Sequence, residues 1–529
     1  MKCFAIILLY ILYLAHGANI LVLDTEHSRS NHIWIRTITA ALAEKGHNVT
    51  SLSTYIEEET PKNFHYLHLD KVYDVFYNPE DEDFVLKPDF FLCGEINSYL
   101  QIILSFLPIE FVLKGCLKSK GFRQLLAYPN DFKFDLVLHD YSALGVMLPF
   151  VKKFSDPPVI ALISTFSVEV TAPVFGGTIH SSYVPRILND IDDLTTFYGR
   201  FNSFVKAHLD YFWRKYFSEP RLNNMLKKKF NWDVNVRELS KLSKIALVNK
   251  YPGLDIIEEA LPNVISVGGL QIQRNKNLTK DFQEIMDNAK NGVILFSLGT
   301  NVKSATLGVD RQIEILEAFR QLPEYTFIWK FEADSLPVDV SPNVIVKKWV
   351  PQCDLLAHPN LKLFISHCGL LSTQEAVWYG VPILGLPIFF DQFINSEVSV
   401  KTGFAERGDI RNIERKSFKK LIEKMMSNSK YRENAKILSE IFRDQMETPL
   451  ERAIWWIEYV LRHPNMTHME TPSRNLNLAQ RESWDVLALL YTLILVSALM
   501  SVKLCCFICQ RCTRKIRKTY IGKHWNLRI

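Results

Sequence analysis

Short apolar runs alternate with amphipathic stretches along most of this chain, and that alternation constrains its fold more than any other feature. Residues 19–23 (NILVL) are strand-like, residues from about 33 to 45 repeat their apolar positions at helical spacing, and residues 49–52 are strand-like again. Strand, helix, strand in that order predicts a parallel α/β sheet. Residues 136–138, 159–163 and 245–248 supply further strands, short and bounded by polar residues, as strands buried on both faces are. After the polar stretch Gln273-Arg274-Asn275-Lys276-Asn277 the alternation restarts, with strands at 293–297, 326–329, 363–366 and 383–386. The expected fold is therefore two doubly wound, Rossmann-like domains facing a cleft, with ligands outside the carboxyl ends of the strands.

The two ends of the chain read differently. Residues 2–14 (KCFAIILLYILYL) give a lysine and an unbroken apolar run, and Ala15-His16-Gly17 has small residues at both cleavage-defining positions, the pattern of a secretory signal peptide. Residues 486–502 carry no charge, and the apolar character continues past Lys503 to Cys509, enough for a transmembrane helix. Arg511, Arg514, Lys515, Arg517, Lys518, Lys523 and Arg528 follow with no acid between them, which places this tail in the cytosol and makes the chain a single-pass type I membrane protein. The formal net charge of +5 owes much to that tail and does not argue for nucleic acid. The organisation expected is a signal peptide over 1–17, a first domain over 18–270, a linker over 271–284, and a second domain over 285–445. A returning helix and juxtamembrane segment over 446–485, a transmembrane helix over 486–509 and a basic tail over 510–529 complete it.

Cys93, Cys116, Cys353 and Cys368 are too few for a disulfide scaffold, although Cys93 and Cys116 form a candidate pair. Asn48, Asn277 and Asn465 begin N-glycosylation sequons. Asp81-Glu82-Asp83 and Asp190-Ile191-Asp192 have the DxD spacing of some Mg²⁺ or Mn²⁺ sites, but neither closes a buried strand, so both read as solvated acidic loops and no metal is expected.

The chemistry is concentrated in WVPQCDLLAHPNLKLFISHCGLLSTQEAVWYGVPILGLPIFFDQFIN, which begins at Trp349. A strand ends at Ser366, His367-Cys368-Gly369 is a tight turn, and a helix from Ser372 closes at Gly380. Such a strand-to-helix turn aims free backbone N–H groups and the positive end of the helix at one place, which suits a diphosphate. His367 adds a donor, Glu375 can accept from ribose hydroxyls, Trp349 offers a flat face to a pyrimidine and Gln352 an amide to its polar edge. Asp391 and Gln392, just past the next strand, suit sugar hydroxyls.

This stretch resembles the signature of the UDP-glycosyltransferase family, in particular its animal membrane-bound branch and, in the wording HCGLLSTQEA, insect members. The resemblance extends over most of the chain, through EKGHNVTSLS at 44–53, FDLVLHD at 134–140, LPNVISVGGL at 261–270, VILFSLGT at 293–300 and ERAIWWIEYVLRH at 451–463. It implies a GT-B fold with the acceptor domain first and the nucleotide-sugar domain second. It also implies inversion at the sugar carbon, no cofactor beyond a UDP-sugar co-substrate, and residence in the endoplasmic reticulum membrane with the catalytic domains luminal. Homo-oligomerisation is compatible with it. The donor contacts it implies are Trp349, Gln352, His367, Gly369, Ser372, Glu375, Asp391 and Gln392, with Ser297 and Thr300 near the diphosphate.

Two departures bear on function. An inverting transfer needs a base for the acceptor hydroxyl, and in the family a histidine oriented by an aspartate supplies it. Asp140 fills the aspartate position, but ungapped counting from Gly46-His47 puts Asn31 in the histidine slot and His32 one place later. Asparagine cannot serve as a base. His32 is the expected base if the turn shifts by one residue. The alternatives are transfer to an acceptor that is already acidic, or a donor- or ligand-binding protein that has lost turnover. The second departure is Glu258, where glucuronate-preferring members carry arginine; a carboxylate there favours UDP-glucose over UDP-glucuronate. The acceptor pocket, drawn from the apolar segment between about 55 and 126, is expected to take small lipophilic hydroxyl compounds.

Overall fold

The computed structural model describes residues 17–77, 90–165, 168–231, 233–272 and 278–525. The segment up to residue 16, expected to be a signal peptide, the acidic string 81–83, residues 273–277 of the expected linker with the Asn277 sequon, and residues 526–529 lie outside the described residues.

The first sheet contains β1 (Asn19–Asp24), β2 (Asn48–Ser53), β3 (Phe64–His68), β4 (Leu136–Asp140), β5 (Val159–Ile163), β6 (Ser243–Val248) and β7 (Val264–Ser266). Its spatial order is β3-β2-β1-β4-β5-β6-β7, and every pair is parallel. The second sheet contains β8 (Val293–Ser297), β9 (Thr326–Lys330), β10 (Val344–Lys347), β11 (Leu361–Ser366), β12 (Ile383–Gly385) and β13 (Ala405–Arg407). Its order is β10-β9-β8-β11-β12-β13, again parallel throughout. Each order reverses once, between β1 and β4 and between β8 and β11, and a reversal opens a crevice at the carboxyl ends of the two strands.

Alternating side chains of the strands enter cores on opposite faces. Leu21 and Leu23 join one cluster. Ile20 and Val22 join another, with Trp34, Ile38 and Leu42 from the helix α1 (Arg29–Glu44). Further helices that shape the site are α2 (Phe106–Lys118), α3 (Gln352–Ala357), α4 (Leu370–Trp378) and α5 (Asp391–Lys401).

After the second sheet, α6 (Pro449–Arg462) returns to the first domain. Thr448 and Glu451 form a capping box at its start, with Pro449 at its first position, so the helix begins sharply. Its buried face, Ala453, Ile454, Ile457 and Val460, completes the cluster around Ile20, Val22 and Trp34. The residues from Thr471 onward, together with Gly176–Thr178, form a compact unit of their own. That unit contains α7 (Trp484–Trp525), whose stretch from Trp484 to Lys518 is long and apolar enough to cross a membrane. The segment Ser98–Lys118 passes the same test, but Val112, Leu113 and Cys116 of α2 are buried in the first domain's core.

Four strands were not expected from the sequence: β3, β7, β10 and β13, which are the edges of the two sheets. No disulfide joins Cys93 and Cys116, so the candidate pair is not bridged. Asp190 and Asp192 both bind the ammonium of buried Lys206, at 2.8 and 3.1 Å, which explains their spacing without a metal. Asn48 and Asn465 are exposed.

The placement of α6 is testable. Ile457→Ala is expected to cost about 2–5 kcal/mol of stability in denaturant unfolding, the usual range for a buried aliphatic truncation. Exposed Trp455→Ala is expected to change it by about 0.5 kcal/mol or less.

Candidate active site

A cavity of about 740 Å³ is lined by both halves of the chain. Its second-domain wall includes every expected donor contact: Ser297, Thr300, Trp349, Gln352, His367, Gly369, Ser372, Glu375, Asp391 and Gln392. Ser297 closes β8 and His367 follows β11, so both stand at the strand reversal. Gly369 caps α4, whose first-turn N–H groups open onto this region.

Two glycines shape the turn. A Cβ on Gly299, whose φ is +80°, would lie 2.5 Å from the His367 ring, and one on Gly369 would meet it equally closely. The imidazole is thus clamped between two backbones, with Nδ1 buried and without a hydrogen-bond partner. Burial and the nearby Lys330 ammonium push its pKa down to about 4, so at neutral pH it is an uncharged N–H donor. Cys368, between them in sequence, has φ +62° despite its side chain, a conformation that costs about 1–2 kcal/mol outside glycine. Its thiol fits because Gly385 opposite has no side chain: a Cβ there would lie 2.6 Å from the sulfur.

Gln352 donates to Glu375 Oε2 at 2.7 Å and to Ser372 Oγ at 3.0 Å, which turns its carbonyl away from them. Burial raises Glu375 to about 7 against these hydrogen bonds. Asp391 is likewise raised to about 6 by burial, with Asn395 donating to it at 2.9 Å. Gln392 accepts from the N–H groups of Ile388 and Phe389, fixing the loop before α5.

Trp349 is 56 % exposed, yet two cations approach its ring: Lys330 at 5.5 Å and Arg29, from the first domain, at 5.6 Å. Lys330 itself is buried and donates to Gly299 O and Glu332. Sequence reasoning passed over both. The signal for Lys330 was a lone cation closing the otherwise apolar strand TFIWK. Arg29 carried no comparable signal.

The first-domain wall corrects the expectation for the base. The turn before α1 does not shift: Asn31 lies on the cavity wall, and its amide donates to Asp140 Oδ2 at 3.0 Å, while Ser142 N–H holds the other oxygen at 3.0 Å. Burial, with the charges of Glu26 and Asp24 adding to it, raises Asp140 to about 8. His32 is not on the wall. Its Nδ1 lies 2.7 Å from Asp24 Oδ2, Ser53 donates to the same carboxylate at 2.7 Å, and its Nε2 is 3.6 Å from Glu57. Successive helical residues point about 100° apart, which is why the neighbour of a cleft residue is turned into the protein.

Glu258 is also off the main cavity. It is buried and its carboxylate is 2.5 Å from the Lys250 ammonium. Both border a smaller pocket with Asp255 and Asp391. Asp255 is raised to about 6, chiefly by burial.

Residues 18–519 match the family described as UDP-glucoronosyl and UDP-glucosyl transferase. A UDP-glucosyltransferase 2 from Dactylopius coccus is 28 % identical, covering 97 % of this chain and 95 % of its own. UDP-glucuronosyltransferase 2B17 from Rattus norvegicus is 29 % identical over 92 % of each. Among solved structures, UDP-glucose: anthocyanidin 3-O-glucosyltransferase in complex with UDP shares 14 % identity and a TM-score of 0.56, covering 85 % of this chain and 99 % of that one. The shared architecture is the GT-B fold.

Gly299→Ala is expected to displace the His367 ring and weaken UDP binding about tenfold or more in calorimetry, the loss of one hydrogen bond to a charged group. Trp349→Ala is expected to weaken it by a few-fold, as the loss of one stacking contact worth about 1 kcal/mol implies.

Proposed function

The chain belongs to the UDP-glycosyltransferase family, and on that premise we propose that it transfers a hexose, glucose in preference to glucuronate, from a UDP-sugar to hydroxyl groups of small lipophilic acceptors with inversion at the sugar carbon. The observation that carries this reading is the division of one cavity: polar donor-type residues on the second-domain wall, and Leu104, Leu107, Pro108, Ile109, Phe111 and Val112 on the first-domain wall.

In this reading Trp349 stacks on the uracil, the Gln352 carbonyl accepts from its N–H, and Glu375 accepts from the ribose. His367, Ser297, Thr300 and the N-terminus of α4 hold the diphosphate, and Asp391 and Gln392 hold sugar hydroxyls. The apolar wall takes acceptors by burial of hydrophobic surface, so the natural substrates are lipophilic phenols and alcohols of the kind conjugated in detoxification. The chain would sit in the endoplasmic reticulum membrane through α7, with the catalytic domains luminal.

The donor preference rests on charge. Lys250 offsets Glu258, but Asp255 and Asp391 remain on the same small pocket, an acidic excess beside the expected sugar position. A uronate would add another carboxylate to it.

A second reading has one observation behind it. Asn31 occupies the position from which a base would act, and a binding protein that keeps its donor site but no longer turns over has the same geometry.

The full chain in microsomes, supplied with labelled UDP-glucose or UDP-glucuronate and a panel of phenols and aliphatic alcohols, separates these. Transfer from UDP-glucose at least about tenfold faster than from UDP-glucuronate, a difference of about 1.4 kcal/mol, is expected. Equal rates, or a preference for glucuronate, reject the donor assignment. Nucleotide binding with silence toward every acceptor, reversed by Asn31→His, establishes the binding protein instead.

A further inference from the structure

With Asn31 unable to take a proton and His32 facing Asp24, neither residue at the expected base position supplies a base to the cavity. The loop between β1 and α1 contains another histidine. His27 and Glu26 both line the cavity, with side chains only 14 % and 17 % exposed. His27 Nδ1 lies 2.5 Å from Glu26 Oε1, and the His27 backbone N–H donates to the same oxygen at 3.1 Å. Burial favours protonation of Glu26, but the neighbouring His27, its backbone N–H included, outweighs this and holds the carboxyl below its usual value.

This loop is fixed from two sides. Thr54 donates to Glu26 O at 2.5 Å and Tyr55 to His27 O at 2.7 Å, both from the segment after β2. Ser28, the next residue, donates to Asn301 Oδ1 of the second domain at 3.1 Å, and Asn301 adjoins the donor residue Thr300. His27 therefore stands on the cavity wall beside the junction where the acceptor and donor domains meet.

We infer that His27 is the general base of the transfer and that Glu26 is its positioning residue. The assignment rests on the reading of the chain as a UDP-sugar-dependent transferase. The Glu26 carboxylate beside Nδ1 favours the neutral tautomer that carries its proton on that nitrogen and leaves Nε2 to accept one. The acceptor oxygen forms its bond to the anomeric carbon as the bond from that carbon to the β-phosphate oxygen breaks. The hydroxyl proton passes to His27 Nε2, and UDP leaves with the bonding pair. Asn31, held by its hydrogen bond to Asp140, lines the same cavity.

The test uses the full chain in microsomes, UDP-glucose, and two acceptors: an aliphatic alcohol, whose proton must be removed, and a nitrophenol acidic enough to be largely ionised already. His27→Gln and His27→Ala are expected to lower kcat on the alcohol by about 10²–10⁴-fold, the span of general-base effects. They should leave UDP affinity, measured by calorimetry on the same preparations, within about twofold, since no donor contact of the kind worth about 1 kcal/mol is removed. The loss on the nitrophenol is expected to be far smaller, and added imidazole to restore transfer by His27→Ala. Glu26→Gln is expected to reduce kcat on the alcohol with KM for UDP-glucose unchanged, and Glu26→Asp to recover part of the loss. Alcohol transfer that survives both His27 substitutions overturns the assignment alone. Equal losses on the two acceptors with no imidazole rescue do the same. An unsubstituted chain that binds UDP but transfers to neither acceptor overturns the transferase reading and this assignment together.

Discussion

A parallel sheet covered by helices on both faces leaves no place for polar chemistry along the bodies of its strands, and the site follows from that constraint. An unpaired polar group in such a strand costs about 1–3 kcal/mol. Polar residues therefore collect where strands end, and the four strands flanking the two reversals close on Asp24, Asp140, Ser297 and Ser366. His139, inside β4, is an exception that shows the rule: its Nε2 pairs with Ser243 at 3.0 Å, and burial pushes its pKa down to about 4, so it sits in the core uncharged.

The same electrostatics explains how an asparagine can occupy the place of a histidine without disturbing the fold. The Asn31 amide gives Asp140 a hydrogen bond of ordinary length but no positive charge. A buried carboxyl facing a neutral partner, with Glu26 and Asp24 nearby, holds its proton to about pH 8 and becomes neutral itself. The pair is structurally sound, and Asn31, the member of it that lines the cavity, cannot take a proton.

The sequence made the interior strands legible and hid the outer ones for a single reason. Interior strands such as LVLHD and VILFS are buried along their whole length, so they read as apolar runs. The edge strands FHYLH, VIS, VIVK and AER are each exposed in part and carry the mixed residues of a half-wet surface. The donor wall was legible because its residues sit in one contiguous stretch around a turn, where spacing determines geometry. The first-domain wall was less so. Whether Asn31 or His32 faces the cleft depends on 100° of helical rotation, and the approach of Arg29 to Trp349 depends on two domains meeting across residues far apart in the chain.

The return of α6 to the first domain means that the polypeptide crosses between the domains twice, and described residues that flank the two crossings pack on each other. Phe442, before the second crossing, packs on Tyr251 with ring centroids 4.5 Å apart and covers Gly269, where a Cβ would come within 2.6 Å of its ring. Arg452, after it, donates to Ser266 O at 3.2 Å, just before the first. At the mouth of the cleft the two domains meet again, where Ser28 donates to Asn301, Arg29 approaches the Trp349 ring and the Phe390 N–H donates to Asn189. The walls of the cavity are thereby pinned together on both sides of it, so its width is set by packing outside the site rather than by the residues that line it.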